Sequence, residues 1–282
     1  MAVIAALNVY PLKAAGGIDL AQAELLPTGI RFDRMFMVVT EAGAFVTQRE
    51  LPALAVVRTK ILPDGLCLEH DGSQLKLPLD ARAGKIVETA VHGASCQGFD
   101  QGEEAAAWIT NAVGKYGGAS LRLLAFDHTA PRRVDPFFAP EETHAGFADS
   151  FPYLVTSTAS LAQLNQMLVM GGEETVPMNR FRPNIVIDGL DPFEEDDISI
   201  LRFPESNAAV RLVKPCARCV VTTVDQETGA RGKEPLKSLG RFRVGTDRRG
   251  ERGIMFGQKA ILEQGSGALL SNGESVVVEL KK

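Results

Sequence analysis

What most limits the folds open to this chain is the length of its apolar runs. Val3 to Tyr10, Ile18 to Leu25, Met35 to Thr40, Ala55 to Ile61, Leu66 to Glu69 and Leu75 to Leu79 are rich in Val, Ile or Leu, and each is short for a helix. Between them stand Ala15-Gly16-Gly17, Pro27-Thr28-Gly29, Glu41-Ala42-Gly43, Pro63-Asp64-Gly65 and Asp71-Gly72-Ser73, all turn formers. Short strands joined by tight turns predict an antiparallel barrel or sandwich over about the first hundred residues.

The rest of the chain mixes the two periodicities. Asp100 to Val113 predicts a helix, with Asp100 as its cap, acidic residues in the first turn and apolar Ala107, Trp108 and Val113 after them. A strand follows at Leu121 to Phe126, then a proline-broken loop from Asp127 to Glu142 that carries Arg132-Arg133. Tyr153 to Thr156 predicts a strand, and Ser157 or Thr158 caps a helix with Leu161, Leu164 and Met167 on one face. Further strands are predicted at Pro183 to Asp188, Ile198 to Phe203, Ala208 to Val213, Gly253 to Leu262 and Ser275 to Leu280, with the acidic run Glu194 to Asp197 a solvated turn. Few helices among many strands make the chain mainly β, of the α+β kind.

Charge narrows the function classes. A net charge of −5 and aromatic content of 6% argue against a nucleic-acid surface, which needs a basic excess. No apolar run is long enough for a membrane span, and the opening MAVIAALNVYPLK is expected to be a first strand, not a signal peptide. Four cysteines in 282 residues do not make a disulfide framework, so a reducing cytoplasm is expected.

Two of those cysteines, Cys216 and Cys219, stand between Lys214-Pro215 and the β-branched run Val220 to Val224, which predicts a strand with a thiol at its head. After it, Asp225, Thr228 and Gly229 form a polar turn, and Pro235 opens a short helix. A thioredoxin-like redox pair needs a helix after the first cysteine. A zinc site needs two more ligands, and the nearest spaced pair, Cys67 and His70, points to opposite faces of a strand. Two buried small hydrophobes, or one thiolate bound to a soft metal beside Arg218, also fit the spacing.

Basic residues recur at strand starts in an otherwise acidic chain: Lys13, Arg31, Arg34, Arg49, Arg180 and Arg182, with Asn184 on the same strand face as Arg182. Together they could line a phosphate pocket, since the guanidinium fork matches phosphate oxygens. Singly, each could equally be solvated or paired with Asp33, Glu50 or Asp188. Ser150, Ser157, Thr158, His128 and His144 show no triad spacing, and no nucleophile elbow or phosphate loop occurs.

Taken together, YPLKAAGG, GIRFDRMFMVV, FVTQRE, DQGEEAAAWIT, SLAQLN, NRFRPNIVI, CARCVVTTVDQETG and MFGQ, in this order from Tyr10 to Gln258, resemble the MOSC proteins with an N-terminal β-barrel. Among these the chain is similar to the amidoxime-reducing components and their bacterial relatives. The resemblance implies an N-terminal β-barrel domain over 1–95, a helical connecting segment over 96–130 and a MOSC β-barrel domain over 131–282. It also implies a molybdenum cofactor, a molybdopterin whose metal is bound by the Cys219 thiolate, with Cys216 a neighbour and not a ligand. Lys13, Arg34, Ser150, Arg182, Asn184 and Arg218 are the positions that the resemblance assigns to cofactor binding, and Cys219 is the one it assigns to catalysis. Ala14, Phe151 and Lys259 depart from the residues of the eukaryotic relatives, a serine, a small polar residue and a tyrosine.

The activity so implied is reduction of N-hydroxylated compounds such as amidoximes, hydroxylamines and N-hydroxylated bases. No ferredoxin-type cysteine spacing is present, so the electrons are expected from a separate small haem or iron–sulfur protein with its NAD(P)H reductase. The alternative is a module that binds or carries the cofactor, or sulfur, without reducing a substrate.

Overall fold

The computed structural model describes residues 1–281, and the chain is mainly β, with strands organised around one closed barrel and one half-barrel. The barrel runs in the order Tyr153–Ser157, Ile185–Asp188, Ala2–Val9, Ser275–Leu280, Ile198–Phe203, Ala208–Ala217 and Arg252–Gln264, and the last strand pairs back onto the first. Closure leaves no free edge. Alternate residues point inward, so Ile4, Leu7, Val155, Ile187, Leu201, Val210 and Ala260 fill the centre, each almost fully buried. Each large aliphatic side chain among them contributes about 1.5–3 kcal/mol by leaving water.

The half-barrel pairs Phe36–Thr40, Leu121–Phe126, Ala94–Asp100 and Ile86–Val91 in one sheet and Arg58–Leu62, Gly65–His70 and Ser73–Leu77 in another. Phe36, Val38, Leu54, Leu68 and Leu123 make its core, covered by helix α1 (Gly102–Val113) through Ala105 and Ile109. The first strand, Ala2–Val9, lies in the closed barrel, and the chain crosses to the half-barrel only after it. Residues 96–130 are more than a helical connection, because they supply two of the four strands of the larger half-barrel sheet. A cut at residue 95 would run through that sheet.

Several local expectations are corrected. The hairpin Ile86–Val91 to Ala94–Asp100 is new, and its two-residue turn puts His92 at φ 50° and Gly93 at φ 82°, the twist that hairpin strands favour. Val220–Thr223 is a 3-10 turn and not a strand: the hydroxyls of Thr222 and Thr223 donate to the carbonyls of Cys219 (3.0 Å) and Val220 (2.8 Å), so local bonds replace a ladder. Cys219 thus follows a strand and does not head one. The acidic run Glu194–Asp196 is also a 3-10 turn, and Glu195 is fully buried beneath helix α2 (Thr158–Met170), accepting from Ser157 Oγ (3.0 Å) and Ser160 Oγ (2.7 Å). Ser157 caps α2 as expected, its hydroxyl accepting the Ser160 amide at 3.1 Å. Asp100 is not the cap of α1, a place taken by Gln101, yet its carboxylate accepts the Gly102 amide at 2.8 Å. Among the described residues no helix is long and apolar enough to cross a membrane.

Candidate functional site

Where the half-barrel meets the closed barrel, a pocket opens, and Lys13, Arg34, Ser150, Arg182, Asn184, Arg218 and Cys219 all line it. Residues scattered over the sequence reach one place because five chain segments converge: the turn after the first strand, the turn before Phe36, the segment before Tyr153, the segment before Ile185 and the end of the strand Ala208–Ala217.

Lys13 leaves the first strand almost fully buried, and its ammonium donates to the Phe147 carbonyl at 2.8 Å and to the Asp149 carboxylate. Burial pushes the Lys13 ammonium down and Asp149 opposes it. Against the desolvation of the wall, Lys13 and His92 hold the Asp149 carboxyl well below the usual range, so Asp149 stays ionised. Arg34, at φ 47°, donates to Asp33, to Asn184 Oδ1 (3.2 Å) and to the Arg182 carbonyl (3.3 Å). Asn184 in turn donates to the Asn8 carbonyl (3.2 Å) and accepts from the Leu154 amide (3.2 Å), which ties the first strand to the pocket wall.

Arg182 carries the site's least compensated charge. Its Nη1 donates to the Ala15 carbonyl (2.6 Å) and to Gln226 Oε1 (3.3 Å), both neutral, and its buried Nη2 has no partner among the described residues. Burial pushes its pKa down to about 10. The guanidiniums of Arg182 and Arg34 both lie on the Tyr10 ring, 4.3 and 4.4 Å from its centroid. That ring is fixed by its hydroxyl, which donates to the Pro183 carbonyl at 3.1 Å. Gly17 leaves room for it, since a Cβ there would stand 2.5 Å from the ring.

At the other wall, the free Cys219 thiol is exposed in an extended residue that caps the turn Val220–Thr223. Arg218 does not lean on it: Nη1 donates to Cys216 Sγ at 3.0 Å and Nη2 to the Phe181 carbonyl at 2.7 Å, while its Nε is buried and unpartnered. Cys216, buried, therefore positions Arg218, a role its spacing did not suggest. Ser150 accepts from Lys259 across the pocket.

Six basic side chains and one carboxylate line the pocket, so its wall is strongly cationic. A buried guanidinium nitrogen without a partner costs free energy unless an anion binds it. Among the described residues no group of three or more His, Cys, Asp or Glu is placed to hold a metal ion, which removes the zinc reading and its Cys67–His70 pair. A soft metal at Cys219 would have to bring most of its ligands with it. The wall fits a group of that kind, anionic and carrying its own metal ligands. Tyr10, Asp33, Asp149 and the reciprocal amide pair Gln48–Gln226, whose Nε2 to Oε1 bonds are 3.0 and 2.9 Å, were not foreseen as parts of the site.

Residues 1–116 match the MOSC N-terminal beta barrel domain and residues 142–277 match the MOSC domain. Mitochondrial amidoxime-reducing component 1 of Homo sapiens is 35% identical over 251 residues, covering 85% of this chain and 72% of that protein. The chain belongs to the MOSC proteins with an N-terminal β-barrel. Mitochondrial amidoxime reducing component 2 of Bos taurus is 34% identical over 251 residues, 86% of this chain and 72% of its own length. Component 1 of Danio rerio is 30% identical over 268 residues, 91% of this MOSC protein and 79% of its own length.

Proposed function

We propose that this MOSC protein is a molybdenum-cofactor oxidoreductase that reduces N-hydroxylated compounds with electrons from a separate small haem or iron–sulfur protein. One observation carries the reading: an exposed, uncommitted thiol opens into the same pocket as buried guanidinium nitrogens that lack partners. When bound, the molybdenum cofactor would supply the two-electron chemistry by which an N–OH group is reduced to N–H, with two protons and the two electrons accounting for the water released.

The chain's own residues then have separable tasks. Cys219 would offer a thiolate to the metal, being the exposed one of the pocket's two thiols. Arg182 Nη2 and the Lys13 and Arg34 cations would hold the cofactor's anionic groups, and Asn184 and Ser150 would offer it neutral hydrogen bonds. Arg218, braced by Cys216 and the Phe181 carbonyl, keeps positive charge beside the thiolate without competing for its lone pairs. Tyr10 orients two of the guanidiniums and excludes water from their inner faces. Four free cysteines accord with a reducing compartment.

The test is reduction of benzamidoxime by protein made in a host that makes the cofactor, with a chemical electron donor. Turnover together with bound molybdenum supports the proposal. Bound molybdenum without turnover supports a carrier module instead, and folded protein that takes up no molybdenum refutes both.

A further inference from the structure

Of the six cations in the pocket wall, five are held by a carboxylate, a backbone carbonyl or Ser150, although Arg182 Nη2 and Arg218 Nε keep no partner among the described residues. Lys13 and Arg34 face carboxylates, Arg182 and Arg218 are tied to carbonyl oxygens, and Lys259 donates to Ser150. Arg49 differs. It is half-buried, comes from the half-barrel side and belongs to no ion pair among the described residues; its Nε donates to Thr47 Oγ1 at 3.2 Å. Its guanidinium lies 5.7 Å from the Phe45 ring, and the same ring meets His92 edge-on at 5.2 Å.

The outer end of Arg49 has only a contested partner. His92 Nε2 stands 3.5 Å from Arg49 Nη2 and 3.4 Å from Asp149 Oδ1. One ring nitrogen cannot serve both: with a lone pair it accepts from Arg49, and with a proton it donates to Asp149. In either state part of the guanidinium fork is unused and turned to the pocket. The cofactor does not exhaust the wall's charge either. With Asp149 set against Lys13 and Asp33 against Arg34, four of the six positive charges are left, and a phosphate monoester of about −1.5 to −2 together with the Cys219 thiolate still leaves about one.

We infer that Arg49, braced by Phe45 and His92, is a carboxylate-recognition subsite at the mouth of the pocket, so that the preferred N-hydroxylated substrates are anionic. The word substrate rests on the reductase reading above, but the subsite is a binding site and is tested as one. Calorimetry on the cofactor-loaded protein compares 4-carboxybenzamide with benzamide, neither of which has an N–O bond to reduce. The carboxylated ligand is expected to bind about tenfold more tightly, the worth of one charge-assisted hydrogen bond. That ratio should fall to near one in Arg49→Gln, stay above one in Arg49→Lys, and shrink as salt rises from ~0.05 to ~0.5 M.

The ratio of kcat/KM for 4-carboxybenzamidoxime over benzamidoxime should follow the same order. If neither amidoxime is reduced but the binding ratio behaves as stated, the subsite stands and the reductase reading fails. If both are reduced and Arg49→Gln leaves the two ratios unchanged, the subsite is overturned. It is overturned equally if Arg49→Gln, folded by its melting curve, loses molybdenum, because Arg49 would then hold the cofactor.

Discussion

Replacing Arg182 by methionine separates a residue kept for a ligand from one kept for the fold. Breaking an ordinary buried ion pair costs about 3–5 kcal/mol, because the partner charge is stranded. Arg182 has no such partner: its two hydrogen bonds go to the Ala15 carbonyl and the Gln226 amide, and Nη2 has none. Burial lowers its pKa from 12.5 to about 10. At about 1.36 kcal/mol per unit, that is a charging cost on the order of 3 kcal/mol. Methionine removes this cost and keeps most of the stem's packing. It also gives up two guanidinium hydrogen bonds, about 1.5 kcal/mol each since both acceptors are neutral and one bond is 3.3 Å long, and a cation–π contact of about 0.5–1 kcal/mol with Tyr10. These nearly cancel, so urea unfolding of the cofactor-free protein should shift by less than about 1 kcal/mol. Cofactor retention after gel filtration should fall at least about a hundredfold, the loss of a charge-assisted phosphate contact. A loss of about 3–5 kcal/mol in the cofactor-free protein, with the cofactor retained, would show that Arg182 serves the fold and refute the reasoning.

Two further outcomes follow from the same geometry. Gly17→Ala places a Cβ 2.5 Å from the Tyr10 ring, so the ring must move; a destabilisation of about 1–3 kcal/mol is expected, together with weaker cofactor retention, and an unchanged melting temperature would count against Tyr10 as a fixed platform. Burial raises the Glu195 carboxyl above its ordinary 4.5, so its unfavourable contribution sets in as pH rises from the ordinary value through the folded one. The stability of Glu195→Gln relative to the native chain should therefore climb across that window and level off above it. Melting curves taken between about pH 4 and pH 8 that run parallel would contradict the assignment.

The strands were legible because alternation and glycine turns speak locally. The hairpin around His92-Gly93 was not, since histidine is an uncommon turn former and IVETAV carries two polar residues inside a strand. Val220 to Thr223 misled for a related reason: β-branched residues favour strands, but two threonine hydroxyls closed a local turn and the neighbouring strand had already ended at Ala217. Lys13, Arg34, Ser150, Arg182, Asn184, Arg218 and Cys219, named from the family resemblance as cofactor-binding positions, line a single pocket. What sequence could not offer was the layer behind them. Tyr10 reads as an ordinary strand aromatic until two guanidiniums are seen on its face, and Cys216 reads as a spare thiol until Arg218 is seen to lean on it.

The central claim is that Cys219 and not Cys216 binds molybdenum, and X-ray absorption at the metal edge reads it directly. Relative to the native chain, Cys219→Ser should show one fewer sulfur ligand or no metal at all. Cys216→Ser should keep the native sulfur count, with activity reduced only a few-fold as Arg218 loses its brace. A native sulfur count in Cys219→Ser, or its loss in Cys216→Ser, would contradict the account.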